Sequence, residues 1–131
     1  MLLQRLALRA ACACALLLAP ASAQAREGIA STYGREIFRI NPGGRTANGE
    51  LFKPMGRTAA IWDVPFNTRL RVTHLATGRS IVVRVNDRGP HRRLGRLIDL
   101  STGSCRALGA CGLARVRVEV VSSGHRVADA D

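Results

Sequence analysis

The sequence predicts a small all-β domain that closes into a barrel and carries one short helix. Residues 69–74, 81–86 and 115–120 alternate apolar and polar side chains with a period of two. The remaining β-prone runs are short and are separated by Gly, Pro and Asn turn signals. Only Ser101 to Leu108 has helical character, and it makes about two turns, so packing must hold it. A chain this rich in strands leaves unpaired edges unless it closes on itself, which favours a barrel over an open sheet.

Taken in order, Met1 to Arg9 carries Arg5 and Arg9 with no acid, and Ala10 to Pro20 is apolar. Ala21-Ser22-Ala23 and Ala23-Gln24-Ala25 both fit a small-x-small cleavage pattern, the layout of a secretory signal. Residues 1–25 are therefore read as an export leader and 26–131 as one domain, with its core at about 28–121. The apolar run is shorter than the roughly 20 residues that span a bilayer; its other reading is a buried or interfacial helix. Gly28 to Gly34 predicts a strand between glycines, Asn41-Pro42-Gly43-Gly44 and Asn48-Gly49 predict turns, and Arg57 to Trp62 a short strand before Pro65 turns the chain. Leu70, Val72 and His74 form one apolar face, and Ile81, Val83 and Val85 another, joined by a hairpin at Ala76–Arg79. The helix starts at a cap, Asp99 or Ser101, and ends at Gly109. Val116, Val118 and Val120 form the last strand, and the polar tail after Val121 is expected to fray.

The chain of 131 residues suffices for one domain. Of its 20 basic residues 19 are Arg, Lys53 being the exception, and the formal charge is +11. Loss of residues 1–25 removes Arg5 and Arg9 and leaves +9. Such a surface suits an anionic partner. Nucleic acid is set aside because the leader sends the chain to the periplasm or the extracellular wall, where cell-wall polymers and anionic lipid head groups remain; plain solubility is the competing explanation. Cys12 and Cys14 precede most of the apolar core, so a lipid anchor is not expected. Cys105 and Cys111 remain as an even pair in an oxidising compartment, which predicts one disulfide; two free buried thiols are the alternative.

Nine acids are present in the whole chain. Three have marked contexts. Asp87 follows an apolar strand in Asn86-Asp87-Arg88-Gly89-Pro90; it reads as a general acid at a strand end or as a turn cap paired to Arg88. Glu50 ends the Asn48-Gly49 turn and by itself reads as a solvated acid. Asp99, between Ile98 and Leu100, reads first as a helix cap. His74, His91 and His125 show no metal-ligand spacing, no nucleophile elbow surrounds Ser80, Ser101 or Ser104, and no phosphate loop is present. No metal or organic cofactor is expected. Tyr33 and Trp62 are either sugar-stacking platforms or core.

Seven motifs fall in one order: Ala30-Ser31-Thr32-Tyr33-Gly34, Thr46-Ala47-Asn48-Gly49-Glu50, Thr58-Ala59-Ala60, Pro65-Phe66-Asn67-Thr68, Val72-Thr73-His74-Leu75, Asn86-Asp87-Arg88-Gly89-Pro90 and Ile98-Asp99-Leu100-Ser101. Over Gly28 to Val121 the chain resembles the rare lipoprotein A family, the septal-ring lytic transglycosylases. The resemblance implies a six-stranded double-psi β-barrel. It also implies endolytic cleavage between N-acetylmuramic acid and N-acetylglucosamine, preferably on peptide-stripped strands, with closure of an anhydro ring by the muramic 6-hydroxyl. It places the catalytic carboxylates at Asp87 and Glu50, with Asp99 a third candidate by likeness to the plant expansins. Tyr33, Thr46, Asn48, Asn86 and Arg88 would line the groove. The chain departs from the family at Ile61, where His is usual, and the Cys105–Cys111 pair lies outside these motifs. Three readings follow: a transglycosylase acting as a monomer, an expansin-like module that binds wall glycan without cutting it, and a barrel that contacts another envelope protein.

Overall fold

The computed structural model describes residues 25–124; residues 1–24, with nearly all of the expected leader, and residues 125–131, with His125, lie outside them. The elements are β1 (Arg26–Tyr33), α1 (Ile37–Ile40), β2 (Thr58–Ala60), β3 (Arg69–His74), β4 (Ser80–Asp87), β5 (Ile98–Ser101), α2 (Thr102–Leu108) and β6 (Ala114–Ser122). The six strands close into a barrel in the order β1-β5-β2-β4-β3-β6. β1 with β5 and β2 with β4 are parallel pairs; the other neighbours run antiparallel.

Period-two patterning builds the wall. Leu70 and Val72 of β3 point inward, as do Ile81, Val83 and Val85 of β4 and Val116 and Val118 of β6. Val72 is opposite Ile81 on one side and Val118 on the other, so the core layers register across three strands. Each fully buried Leu or Ile contributes roughly 1.5–3 kcal/mol relative to an exposed one. β5 escapes the periodicity argument because its four residues run straight into α2. Its pattern is nonetheless clear in place: Ile98 and Leu100 are fully buried and Asp99 lies on the other face.

Ser101, not Asp99, caps α2: its hydroxyl accepts from Ser104 N at 3.1 Å. Gly109, at φ 72°, ends the helix in the left-handed conformation. Gly103 lets the helix lie against the loop before β2, because a Cβ there would stand 2.1 Å from the Met55 carbonyl oxygen. A disulfide joins Cys105, within this helix, to Cys111 just beyond its end. The tail expected to fray after Val121 is held further: β6 runs to Ser122 and Gly124 N donates to Thr68 Oγ1. Outside the barrel a second cluster of Tyr33, Phe52 and Ala60, flanked by Ile37, packs the loop between α1 and β2 onto the wall.

Candidate functional site

Glu50 sits on that loop. Residues 44–52 form a small hairpin closed by Phe52 N to Gly44 O and Thr46 N to Glu50 O, with a bridge between Arg45 and Leu51. Gly49 holds φ 90° at its tip, a conformation that suits glycine. Thr46 Oγ1 donates to Asn48 Oδ1 at 2.6 Å, which stiffens the turn from within. Phe52 stacks on Tyr33 with ring centroids 4.9 Å apart and so pins the hairpin to β1.

The tip of this hairpin docks on the end of β4. Ala47 N donates to Asp87 Oδ1 at 3.0 Å, Asn48 N donates to the Asn86 carbonyl, and Asn48 Nδ2 donates to Glu50 Oε1 at 2.7 Å. Two successive residues of one turn thus hold the two carboxylates on the same side of the barrel. Where β2 meets β4, Ala59 pairs with Val85 but Ala60 pairs with Asp87, so Asn86 is an extra residue in the ladder. A bulge re-aims the side chains that follow it. It breaks the inward sequence 81, 83, 85 before it reaches Asp87.

Glu50 and Asp87 are electrostatically unlike. Arg84 grips both Glu50 oxygens, with Nη2 to Oε2 at 2.8 Å, and Asn48 and Asn86 add further donors. The Arg84 bonds are the chief cause that holds the Glu50 carboxyl down at about 2, against a smaller upward push from burial. Glu50 is therefore a fixed anion. Asp87 receives two backbone donors on Oδ1, from Ala47 and Arg88, and among the described residues Oδ2 accepts no hydrogen bond. That oxygen is available to a ligand.

Asp99 joins them through the sheet. Ser31 pairs with Asp99, Asp99 with Ala60, and Ala60 with Asp87, so four adjacent strands place these positions in one row. At about 4.8 Å per strand, the backbones of Asp87 and Asp99 are about 10 Å apart across the sheet. Burial raises the Asp99 carboxyl, opposed by the Ser31 hydroxyl that donates to Oδ1 and by Arg96, and assisted by the charge of Asp87.

Other expected residues divide. Tyr33 is core: its ring is covered by Phe52, and burial, followed by the charge of Asp87, pushes its phenol well up. Thr58 is close enough to pull that phenol back down, yet the two hydroxyls make no hydrogen bond of good geometry. Tyr33 Oη, Thr58 Oγ1 and Asn86 Oδ1 are buried without a partner among the described residues. Arg88 does not pair with the Asp87 carboxylate through its guanidinium, which donates to Ile61 O at 3.0 Å and stacks 3.9 Å over Phe66. It gives the site its backbone N–H instead. Trp62 donates to Pro90 O and lies under Arg92. Ile61 is 1 % exposed, in the main core, and touches the Asp87 segment through its main chain.

Sequence reasoning missed Arg84, Thr58 and Ser31. Arg84 carried a usable signal: it alternates outward on β4 two residues before Asn86, so both address one face. Ser31 and Thr58 carried no local signal beyond their place in the ordered motifs, because their partners come from strands distant in sequence.

The fold and site together define a double-psi β-barrel that presents Glu50, Asp87 and Asp99 on one part of its wall. The family model described as lytic transglycolase matches residues 25–120, and the chain belongs to that family. It is 55 % identical over 98 residues to the protein of Nostoc sp. named "Probable endolytic peptidoglycan transglycosylase RlpA", covering 72 % of this chain and 25 % of that protein. It is 46 % identical over 94 residues to the endolytic peptidoglycan transglycosylase RlpA of Pseudomonas aeruginosa, covering 70 % and 26 %. The Yersinia pestis protein of that name is 42 % identical over 95 residues, covering 72 % and 25 %. The chain thus spans about a quarter of the length of these relatives.

Proposed function

We propose that this barrel is an endolytic peptidoglycan transglycosylase, exported behind a leader at residues 1–25 and acting on wall glycan in the periplasm or outside the cell. The observation that carries the reading is the pair of unlike carboxylates on one turn-to-strand contact. Glu50 is locked as an anion by Arg84, and Asp87 is oriented by two backbone N–H groups with one oxygen open. Cleaving a glycosidic bond needs a proton for the bridging oxygen and negative charge near the oxocarbenium-like centre. In this reading the Asp87 carboxyl gives its proton to the oxygen between N-acetylmuramic acid and N-acetylglucosamine as the C1–O bond breaks. The Asp87 carboxylate then takes the proton of the muramic 6-hydroxyl as that oxygen closes on C1, and no water is consumed. Glu50, already charged, stabilises the positive centre. Asp99 and Ser31 extend the groove as sugar-binding groups. The names of the relatives support the substrate and the reaction.

The test is digestion of purified, peptide-stripped sacculi with mass spectrometry for anhydro-muramic products. Asp87→Asn should cut product formation by roughly 10²–10⁴-fold, the usual worth of a general acid–base group. Products that persist in that variant would overturn the assignment of Asp87.

Ile61 favours a second reading, an expansin-like module that grips glycan without cutting it. Its buried alkyl side chain offers no proton-transfer or hydrogen-bonding group at a position where the family usually has His. Pelleting with sacculi in the absence of any product would establish that reading.

A further inference from the structure

A cleft of about 720 Å³ lies on the Glu50 side of the site, between the hairpin and strands β2, β3 and β4. That is within the roughly 300–1,000 Å³ typical of ligand sites. Lys53, Arg57, Arg69 and Arg84 line it, and Glu50 is its acid. Arg84 is committed to Glu50. Among the described residues the other ion pairs are Arg92–Asp63 and Arg117–Glu27, so Lys53, Arg57 and Arg69 have no acid partner there. Three uncompensated cations around one concavity call for an anion.

A second observation narrows the ligand. Glu50, its side chain 37 % exposed, presents an anionic carboxylate to the same cleft beside the three cations. A carboxylate accepts hydrogen bonds only, so it suits a ligand that brings hydroxyl or N–H donors together with its negative charge. Inorganic phosphate, as a dianion, has little to donate. A sugar that carries both a carboxylate and hydroxyl or acetamido N–H groups satisfies both demands.

We propose that this cleft is a carboxylate subsite that seats an acidic sugar of the wall strand next to the cleaved bond. The proposal deepens the transglycosylase reading and rests on it. The muramic residue carries a lactyl ether whose carboxylate is free on peptide-stripped strands and is consumed as an amide where a stem peptide is attached. The stem itself ends in carboxylates, so either source could supply the anion.

Binding is the readout, by isothermal titration calorimetry on the Asp87→Asn chain, which keeps strands uncut. The probes are peptide-free glycan fragments, peptide-bearing fragments, and each of these after carbodiimide coupling of its carboxylates to methylamine. Neutralising the carboxylates of peptide-free fragments should weaken binding about tenfold, the scale of one charge-assisted contact. Adding Arg57→Gln and Arg69→Gln together should cause the same loss on native fragments and no further loss on neutralised ones. Both side chains are exposed, so the thermal midpoint should stay put and exclude unfolding as the cause. The effect in the peptide-free arm assigns the lactyl carboxylate; the effect only in the peptide-bearing arm assigns the stem. If neutralised and native fragments bind alike in both arms, or the double variant weakens both alike, or native fragments do not bind, the subsite is overturned. Absence of anhydro products from the wild-type chain would instead remove the catalytic reading and leave the binding result standing.

Discussion

Glu50 is an anion because of what the fold puts beside it. Its folded-state carboxyl is held at about 2, well below the ordinary 4.5, chiefly by Arg84. A depressed acid stabilises the fold above its unfolded-state pKa, and that contribution is lost as pH falls from about 4.5 toward 2. The Glu50 side chain is 37 % exposed, and solvent screening reduces the contribution to on the order of 1 kcal/mol. We expect Arg84→Gln to cost on the order of 1 kcal/mol at pH 7 and less at pH 3, measured by urea unfolding. Carboxyl-carbon NMR should show the Glu50 inflection moving up from about 2 toward 4.5. An inflection that does not move would mean that Arg84 is not what holds this acid. Asp99 goes the other way: burial raises it, so the loop hairpin presents one acid that stays charged and β5 one that keeps its proton longer.

At the scale of elements, the junction between β5 and α2 ties the site row to the rest of the barrel. Ser101 is fully buried, caps α2, and donates its single hydroxyl proton to Gly56 O. Ser104 donates in turn to Thr58 O at 2.9 Å, so two hydroxyls satisfy the backbone on either side of the entry into β2. Ser101→Ala removes the cap and leaves the part-buried Gly56 carbonyl without its partner, for a loss of about 1–2 kcal/mol. Urea unfolding should show a lower midpoint with an unchanged slope. A loss under about 0.5 kcal/mol would mean that water replaces the hydroxyl at both contacts. The bulge at Asn86 is the other decisive element, since it takes Asp87 out of the inward-facing series of β4.

The whole molecule combines a closed barrel, which among the described residues leaves no sheet edge to pair with another chain, with a formal charge of +11 on the full sequence. The partner in the proposed reading is an anionic wall polymer, so part of that association should be long-range and screened by salt. Co-sedimentation with peptide-stripped sacculi should fall about tenfold in affinity between 50 mM and 500 mM salt, while the thermal midpoint changes little. Affinity insensitive to salt would assign the arginines to solubility alone.

From the sequence alone came the β class, the hairpin between β3 and β4, the inward faces of β3, β4 and β6, and α2 with its glycine stop. Each of these rests on interactions between residues near one another in the chain, which periodicity and turn chemistry report directly. Ordered motifs also named Glu50 and Asp87, because a family resemblance carries spatial information that local patterning lacks. Only the tertiary structure decided that Arg84 fixes the charge of Glu50, that Asp99 faces Ser31 rather than capping α2, and that Tyr33 is core. It also decided that the Arg88 guanidinium turns to Ile61 and Phe66. These facts depend on pairings between strands far apart in sequence and on one extra residue in β4. A side chain's charge state is set by the dielectric and the partners around it, and those exist only once the barrel has closed.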